Sequence, residues 1–212
     1  MPYPMVHFAI ASALCSGNPT PAFLIGSLAP DAVHVRGQVT RQEKGVTHFV
    51  HEGQFPSLET LKEKCLHYVS LHHEPGWKDY VLGYLAHIYA DIRWTETVYA
   101  DFEQAYQGDR EQIRKTYNAE SDQVEFELMR EAEWTDGMLN RLQTAAAYTI
   151  EPLLTDHEVS QYRDVKLAWL RNKDHEPRIT PAYLREDVIQ AFVLRTAEEL
   201  RVLYQEWGLM RH

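Results

Sequence analysis

Residues 77–106 read as one long helix, and the stretch YVLGYLAHIYADIRW (residues 80–94) has the composition of a helix buried on most sides. Such a helix has to be enclosed by other elements, and its small residues Gly83 and Ala86 let another helix come close. The rest of the chain offers helices and little else. Apolar residues recur at helical spacing in segment after segment, while the strict alternation of a half-buried strand is nearly absent. The expected architecture is all-α: one domain over residues 1–212, built as a bundle of seven to eight helices.

The boundaries follow from local chemistry. Residues 5–15 fit a short buried helix ended by SGNPT. A second short helix begins with Thr20 as N-cap and Pro21 in the first turn, where its missing N–H costs nothing, and runs to about Leu28. Residues 29–45 read as a polar, glycine-marked loop, and VTHFVHEG after it is too short to assign. Residues 56–73 form a helix opened by Ser57, with Leu58, Leu61, Cys65 and Leu66 on one face, and EPG stops it. QGD ends the long helix at Tyr106. Helices are then expected at 109–118, 121–148, 155–171 and 180–208, the last opened by Thr180-Pro181 and closed by Gly208. Residues 171–180 are a long connection.

Composition excludes several classes. Thirty-one acidic side chains against 21 basic ones give a formal charge of -10, which repels a phosphate backbone and argues against nucleic-acid binding. No stretch reaches the roughly 18 uninterrupted apolar residues of a membrane span, so stable insertion is not expected. The N-terminal MPYPMVHFAIASALCSG lacks the basic start of a signal peptide. Cys15 and Cys65 are far apart and read as buried thiols in a reducing compartment. The expected location is cytoplasmic.

His87 and Asp91 stand four residues apart in the buried helix, on one face. A buried ionised carboxylate is costly unless paired or metal-bound. A neutral imidazole beside it forms a ready grip on a divalent ion, and an Asp–His hydrogen bond inside the bundle is the alternative. Three more metal-capable residues lie in apolar settings upstream: His7 between Val6 and Phe8, Asp31 after FLIGSLAP, and His48 in GVTHFV. Each alone reads as a core or turn residue. His34 and His51 lie close to Asp31 and His48 in sequence, as extra ligands, supporting partners or surface residues. His67, His72 and His73 crowd a helix end and carry no assigned function. His157, His175 and His212 read as surface residues.

Taken in order, His7, GSLAPD with Asp31, THF with His48, and LGYLAHIYAD with His87 and Asp91 form a series that resembles the zinc-dependent phospholipase C family. The resemblance covers about residues 1–95. It implies an all-helical phosphoesterase in which Asp31, His48, His87 and Asp91 hold one zinc, while Asp91 bridges to a second ion also held by His7. In the family a free N-terminal amine completes that second site; here six residues precede His7. The family's third ligand set, a histidine followed by His-x-x-x-Glu, has no counterpart after Asp91. Arg93 and Glu96 stand near that place, and Arg93 is expected either to supply positive charge for a phosphate or to pair with Glu96 or Thr97.

The activity this implies is metal-dependent hydrolysis of a small phosphate ester or a phospholipid head group. One or two divalent ions, zinc or in its place manganese, iron or nickel, would activate water. Asp31 and Arg93 are the expected catalytic side chains, and Asp31 is the candidate proton acceptor. The alternative is a non-catalytic metal-binding or structural helical protein of the same fold, with metal pinning the helices. An HD-type phosphohydrolase would need an adjacent His-Asp pair, which the chain lacks; His157 follows Asp156. The metal-ligand half is residues 1–100, and residues 101–212 supply supporting helices. Trp134, Trp169 and Trp207 there read as core, with a pocket lining or a homodimer face as alternatives.

Overall fold

A computed structural model describes residues 3–131 and 135–210. Within them the chain is all-α, with ten α-helices, short 3₁₀ and π segments and two isolated β-bridges in place of strands. In order the helices are α1 (Pro4–Leu14), α2 (Pro21–Gly26), α3 (Arg41–Thr47), α4 (Leu58–Leu71), α5 (Trp77–Trp94), α6 (Ala100–Ala105), α7 (Ile113–Glu131), α8 (Thr135–Gln143), α9 (Asp156–Arg171) and α10 (Glu186–Glu206). That exceeds the seven to eight expected. Among the described residues no helix is long and apolar enough to cross a membrane.

Two helices form the centre. In α1 all residues from Pro4 to Ser12, and Leu14, are buried. It packs against α10, α7, α5 and α2. In α5 the run from Tyr80 to Asp91 is buried without a break. The expected caps are present. Thr20 accepts from the Phe23 amide at 3.1 Å with Pro21 in the first turn, and Ser57 accepts from the Thr60 amide at 3.2 Å. Cys65 is buried and Cys15 half-buried; both are free thiols. Burial pushes them up, to about 12 and about 11.

The sequence expectations fail at four places, each for a local reason. Residues 29–45 are not a loop. A 3₁₀ helix (Ala29–Arg36) carries Asp31, and α3 follows it, opened by a capping box in which Thr40 and Glu43 bond each other's backbone amides. The long helix ends its regular α geometry at Trp94. A π turn (Thr95–Tyr99) inserts before α6, with Thr95 and Thr97 hydroxyls bonding the carbonyls of Asp91 and Arg93. The helices expected at 109–118 and 121–148 are instead one helix, α7, through residues 119 and 120, followed by the separate α8. Trp134 lies outside the described residues. Finally, α10 starts six residues later than Thr180. The buried Glu120 carboxylate on α7 accepts from the amides of Ala182, Tyr183 and Leu184 at 3.0, 3.0 and 2.8 Å. Those amides are held outward to α7, so the helix begins beyond them. Gly208, at φ 71, ends it as expected.

The crossing of α2 on α5 brings backbone against backbone. A Cβ built on Gly83 would lie 2.2 Å from the Phe23 carbonyl oxygen and 2.8 Å from the Ser27 nitrogen; one on Gly26 would lie 2.1 Å from the Tyr80 carbonyl oxygen. The small residue read at position 83 does admit another helix. Gly83→Ala is therefore expected to destabilise by about 1–3 kcal/mol, the usual scale of overpacking, measured by urea unfolding. Gly137→Ala, at an exposed helical site with nothing within 4 Å, should be neutral or stabilising by up to about 1 kcal/mol.

Candidate metal centre

The five expected ligands come from four elements and meet at one place. His7 is on α1, Asp31 on the 3₁₀ helix, His48 at the C-cap of α3, and His87 and Asp91 on α5. Two triads share His87: His7, His87 and Asp91 form one, and Asp31, His48 and His87 the other, with the potential ligand atoms of each within 4.8 Å of one another. His7 and His87 stack with ring centroids 3.9 Å apart and planes at 6°.

The supporting contacts fix which nitrogen faces inward. His87 Nδ1 lies 2.8 Å from the Ser27 carbonyl, and His48 Nδ1 lies 2.9 Å from the Lys44 carbonyl. A carbonyl only accepts, so each Nδ1 carries a hydrogen. In a neutral ring the corresponding Nε2 is then a bare lone pair. Ser27 is the residue capping α2, and the glycine crossing brings its carbonyl within reach of α5. The Tyr84 hydroxyl donates to the Thr47 carbonyl at 2.6 Å and holds the end of α3 where His48 sits. Metal-binding histidines characteristically have their outer nitrogen tied in this way.

Inside the ring of ligands, acceptor faces acceptor. His48 Nε2 is 3.3 Å from His87 Nε2, 3.3 Å from Asp91 Oδ2 and 3.5 Å from Asp31 Oδ1. His87 Nε2 is 3.7 Å from Asp91 Oδ2, and His7 Nε2 is 3.6 Å from Asp91 Oδ1. Both ring nitrogens of His7, both carboxylate oxygens of Asp91 and Asp31 Oδ1 are buried without a hydrogen-bond partner. Lys44 Nζ does reach Asp31 Oδ1, as an ion pair at 2.7 Å. The two oxygens of Asp91 thus face different imidazoles, His7 on one side and His48 with His87 on the other.

Electrostatics sharpen the picture. Burial, then the neighbouring His87 ring, pushes His7 down to about 3, against an opposing pull from Asp91. Burial also lowers His87. Burial opposes ionisation of Asp31 and Asp91, yet the groups around them win. Lys44, His87 and His48 hold Asp31 well below the ordinary carboxylate value, and His87, His48 and His7 lower Asp91. Burial against protonated His7 and His87, and the pull that keeps both carboxylates low, favour an arrangement that a cation between them would satisfy. Zinc bonds of about 2.0–2.2 Å in a tetrahedron place neighbouring ligand atoms roughly 3.3–3.6 Å apart. The observed spacings fall on that scale.

The remaining candidates fall elsewhere. Arg93 donates to Glu199 at 2.9 and 3.3 Å and to Glu96 at 2.7 Å. Thr97 bonds the Arg93 carbonyl and not its guanidinium. His34 lies 3.9 Å from Asp31 on the exposed side. His51 is exposed in a turn bridged to Gln54. Two groups at or near the site escaped the sequence reading. Lys44 had a signal, since Thr40-x-x-Glu43 opens a helix that puts it one turn before His48. Glu125 on α7 had none; its carboxyl is buried and accepts from the Met5 amide at 2.9 Å.

No protein-family model matches the chain, and neither a curated protein nor a solved structure shows significant similarity to it.

Burial raises Glu125 to about 8. In the unfolded chain the same group releases its proton near the ordinary value of about 4.3. Between these values the folded state holds the extra proton on Glu125, so the stability this group contributes falls as pH rises from about 4.5 to about 8. Glu125→Gln should remove on the order of a few kcal/mol of that slope, read by urea unfolding at pH 5, 6.5 and 8.

Proposed function

We propose that the protein is a metal-dependent phosphoester hydrolase whose ion or ions sit among His7, Asp31, His48, His87 and Asp91. One observation carries this reading: three imidazoles and two carboxylates converge, and among them both His7 ring nitrogens, both Asp91 oxygens and Asp31 Oδ1 are buried without a hydrogen-bond partner. A polar core network would satisfy those atoms with each other. The order of the five residues along the chain, like that of the zinc-dependent phospholipases C, supports the same reading.

The residues divide the work. The Ser27 and Lys44 carbonyls orient His87 and His48, so their Nε2 lone pairs are aimed before any ion arrives. Asp91 presents one oxygen to each side of His87, which suits a bridging carboxylate. A divalent ion held there supplies charge that polarises a phosphoryl oxygen and acidifies water. Asp31 is the one member with a partly exposed side chain. It is placed to take a proton from water and pass it outward, and its low basicity makes it a relay. Ala29, Ala32 and Val33 of the 3₁₀ helix, with Leu28 just before it, are buried and keep water from the inner side.

A second reading has its own support. Four of the five side chains are almost wholly buried, as in a site that pins helices together without turnover. Thermal stability separates the two. A purely structural ion would melt the protein on chelation, whereas a catalytic one would leave it largely folded.

The test is metal content of untagged protein by plasma mass spectrometry, with hydrolysis of p-nitrophenyl phosphate and bis(p-nitrophenyl) phosphate. The wild type should carry one or two divalent ions per chain and turn over at least one ester. Asp91→Ala should lose metal and at least about 100-fold of activity, as expected when a charge-stabilising group is removed, while keeping its helical circular dichroism. Full activity in Asp91→Ala, or a wild type that takes up neither zinc nor manganese, overturns the proposal.

A further inference from the structure

Among the five residues Asp31 alone has a partly exposed side chain, and a cation lies against it. Asp91, His48, His87 and His7 have side chains 0, 2, 2 and 3 % exposed, whereas Asp31 is 15 %, Lys44 22 % and His34 44 % exposed. The side of the cluster nearest solvent is therefore that of Asp31, where Lys44 and His34 both lie. Of the cations nearby, Arg36 is committed, its guanidinium bonded to both carboxylate oxygens of Glu158 and to the Leu153 carbonyl. Lys166 stands over the Tyr162 ring at 5.3 Å. Lys44 is different. Its ammonium lies 2.7 Å from Asp31 Oδ1, its only ion pair among the described residues. It stands partly exposed beside the one partly exposed ligand, and its flexible four-carbon stem suits a point charge that exchanges one anion for another.

Resting on the hydrolase reading, we infer that Lys44 is the substrate-binding cation of this site and that it selects a terminal phosphate, making phosphomonoesters the substrate class. In the free protein the ammonium is parked on Asp31. When substrate enters, it swings to a non-bridging phosphate oxygen and leaves Asp31 to the site. Two physical arguments favour a terminal phosphate. A monoester carries nearly two negative charges near neutral pH and a diester one, so a point charge at the entrance rewards the monoester more. The inner ligands are also below the surface, within reach of the end of a substrate, while a diester would have to bring a substituent on both sides through the same opening. His34, its pKa lowered by burial, is a neutral donor beside Lys44 and adds a hydrogen bond rather than charge.

The test uses full-length, zinc-loaded wild type, Lys44→Met and Lys44→Arg. Three quantities are read: zinc per chain, the dissociation constant of inorganic phosphate by calorimetry, and kcat and KM for p-nitrophenyl phosphate and bis(p-nitrophenyl) phosphate. Lys44→Met should retain zinc, bind phosphate about tenfold or more weaker, and raise KM for the monoester by a similar factor with kcat little changed, the scale of one lost charge-assisted contact. KM for the diester should shift by less than about threefold, and Lys44→Arg should recover most of the phosphate affinity. Equal effects on both esters, or unchanged phosphate binding in Lys44→Met, overturn the inference. So does loss of zinc in both variants, which would make Lys44 a support for Asp31. A wild type that binds phosphate through Lys44 but hydrolyses neither ester upholds the anion site and overturns the hydrolase. A wild type that takes up no metal removes both.

Discussion

The close approach of α2 on α5 at Gly26 and Gly83 governs much of what surrounds it. With no side chain at either glycine, backbone meets backbone, and the end of α2 is delivered to the middle of α5. The Ser27 carbonyl then reaches His87 Nδ1. The 3₁₀ helix, which starts two residues after Ser27, carries Asp31 to the same face. Packing and site geometry are therefore one constraint. A shift of α2 by the width of a methyl group would misplace a donor partner and a carboxylate together.

That constraint also shows what the sequence made legible. Helical period, the Thr20-Pro21 and Ser57 caps and the small residue at Gly83 were visible because they are local. So was the series of histidines and aspartates, whose apolar neighbours marked them as buried before any fold was known. The errors have physical causes of two kinds. Some signals were local but overlooked: Thr40 with Glu43 is a capping box, and it turns an apparent loop into α3 and places Lys44. Others were not local at all. The late start of α10 depends on Glu120, more than sixty residues earlier in the chain, drawing three amides to α7. The burial of Glu125 depends on the Met5 amide of α1. Nothing beside either glutamate in the sequence foretells these bonds.

Arg93 teaches the same lesson from the other side. Two residues beyond Asp91 a guanidinium looks available to an anion, and Glu96 at helical spacing looks like its modest alternative. The fold adds Glu199 from α10, which also accepts from the Tyr89 hydroxyl at 3.0 Å. A cation with two carboxylates around it is a strut between α5 and α10. Lys44, with one shared carboxylate at the mouth of the site, keeps its freedom.

The way the imidazoles are tied has a consequence for how the site fills. Metal ligands ordinarily surrender protons as the ion arrives, which makes uptake compete with acidity. Here burial disfavours the protonated forms of His7 and His87, and the charges around Asp31 and Asp91 disfavour their protonated forms. Folding has thus done part of the deprotonation in advance, and an ion held by these four side chains would compete with fewer protons than one held by the same groups in water.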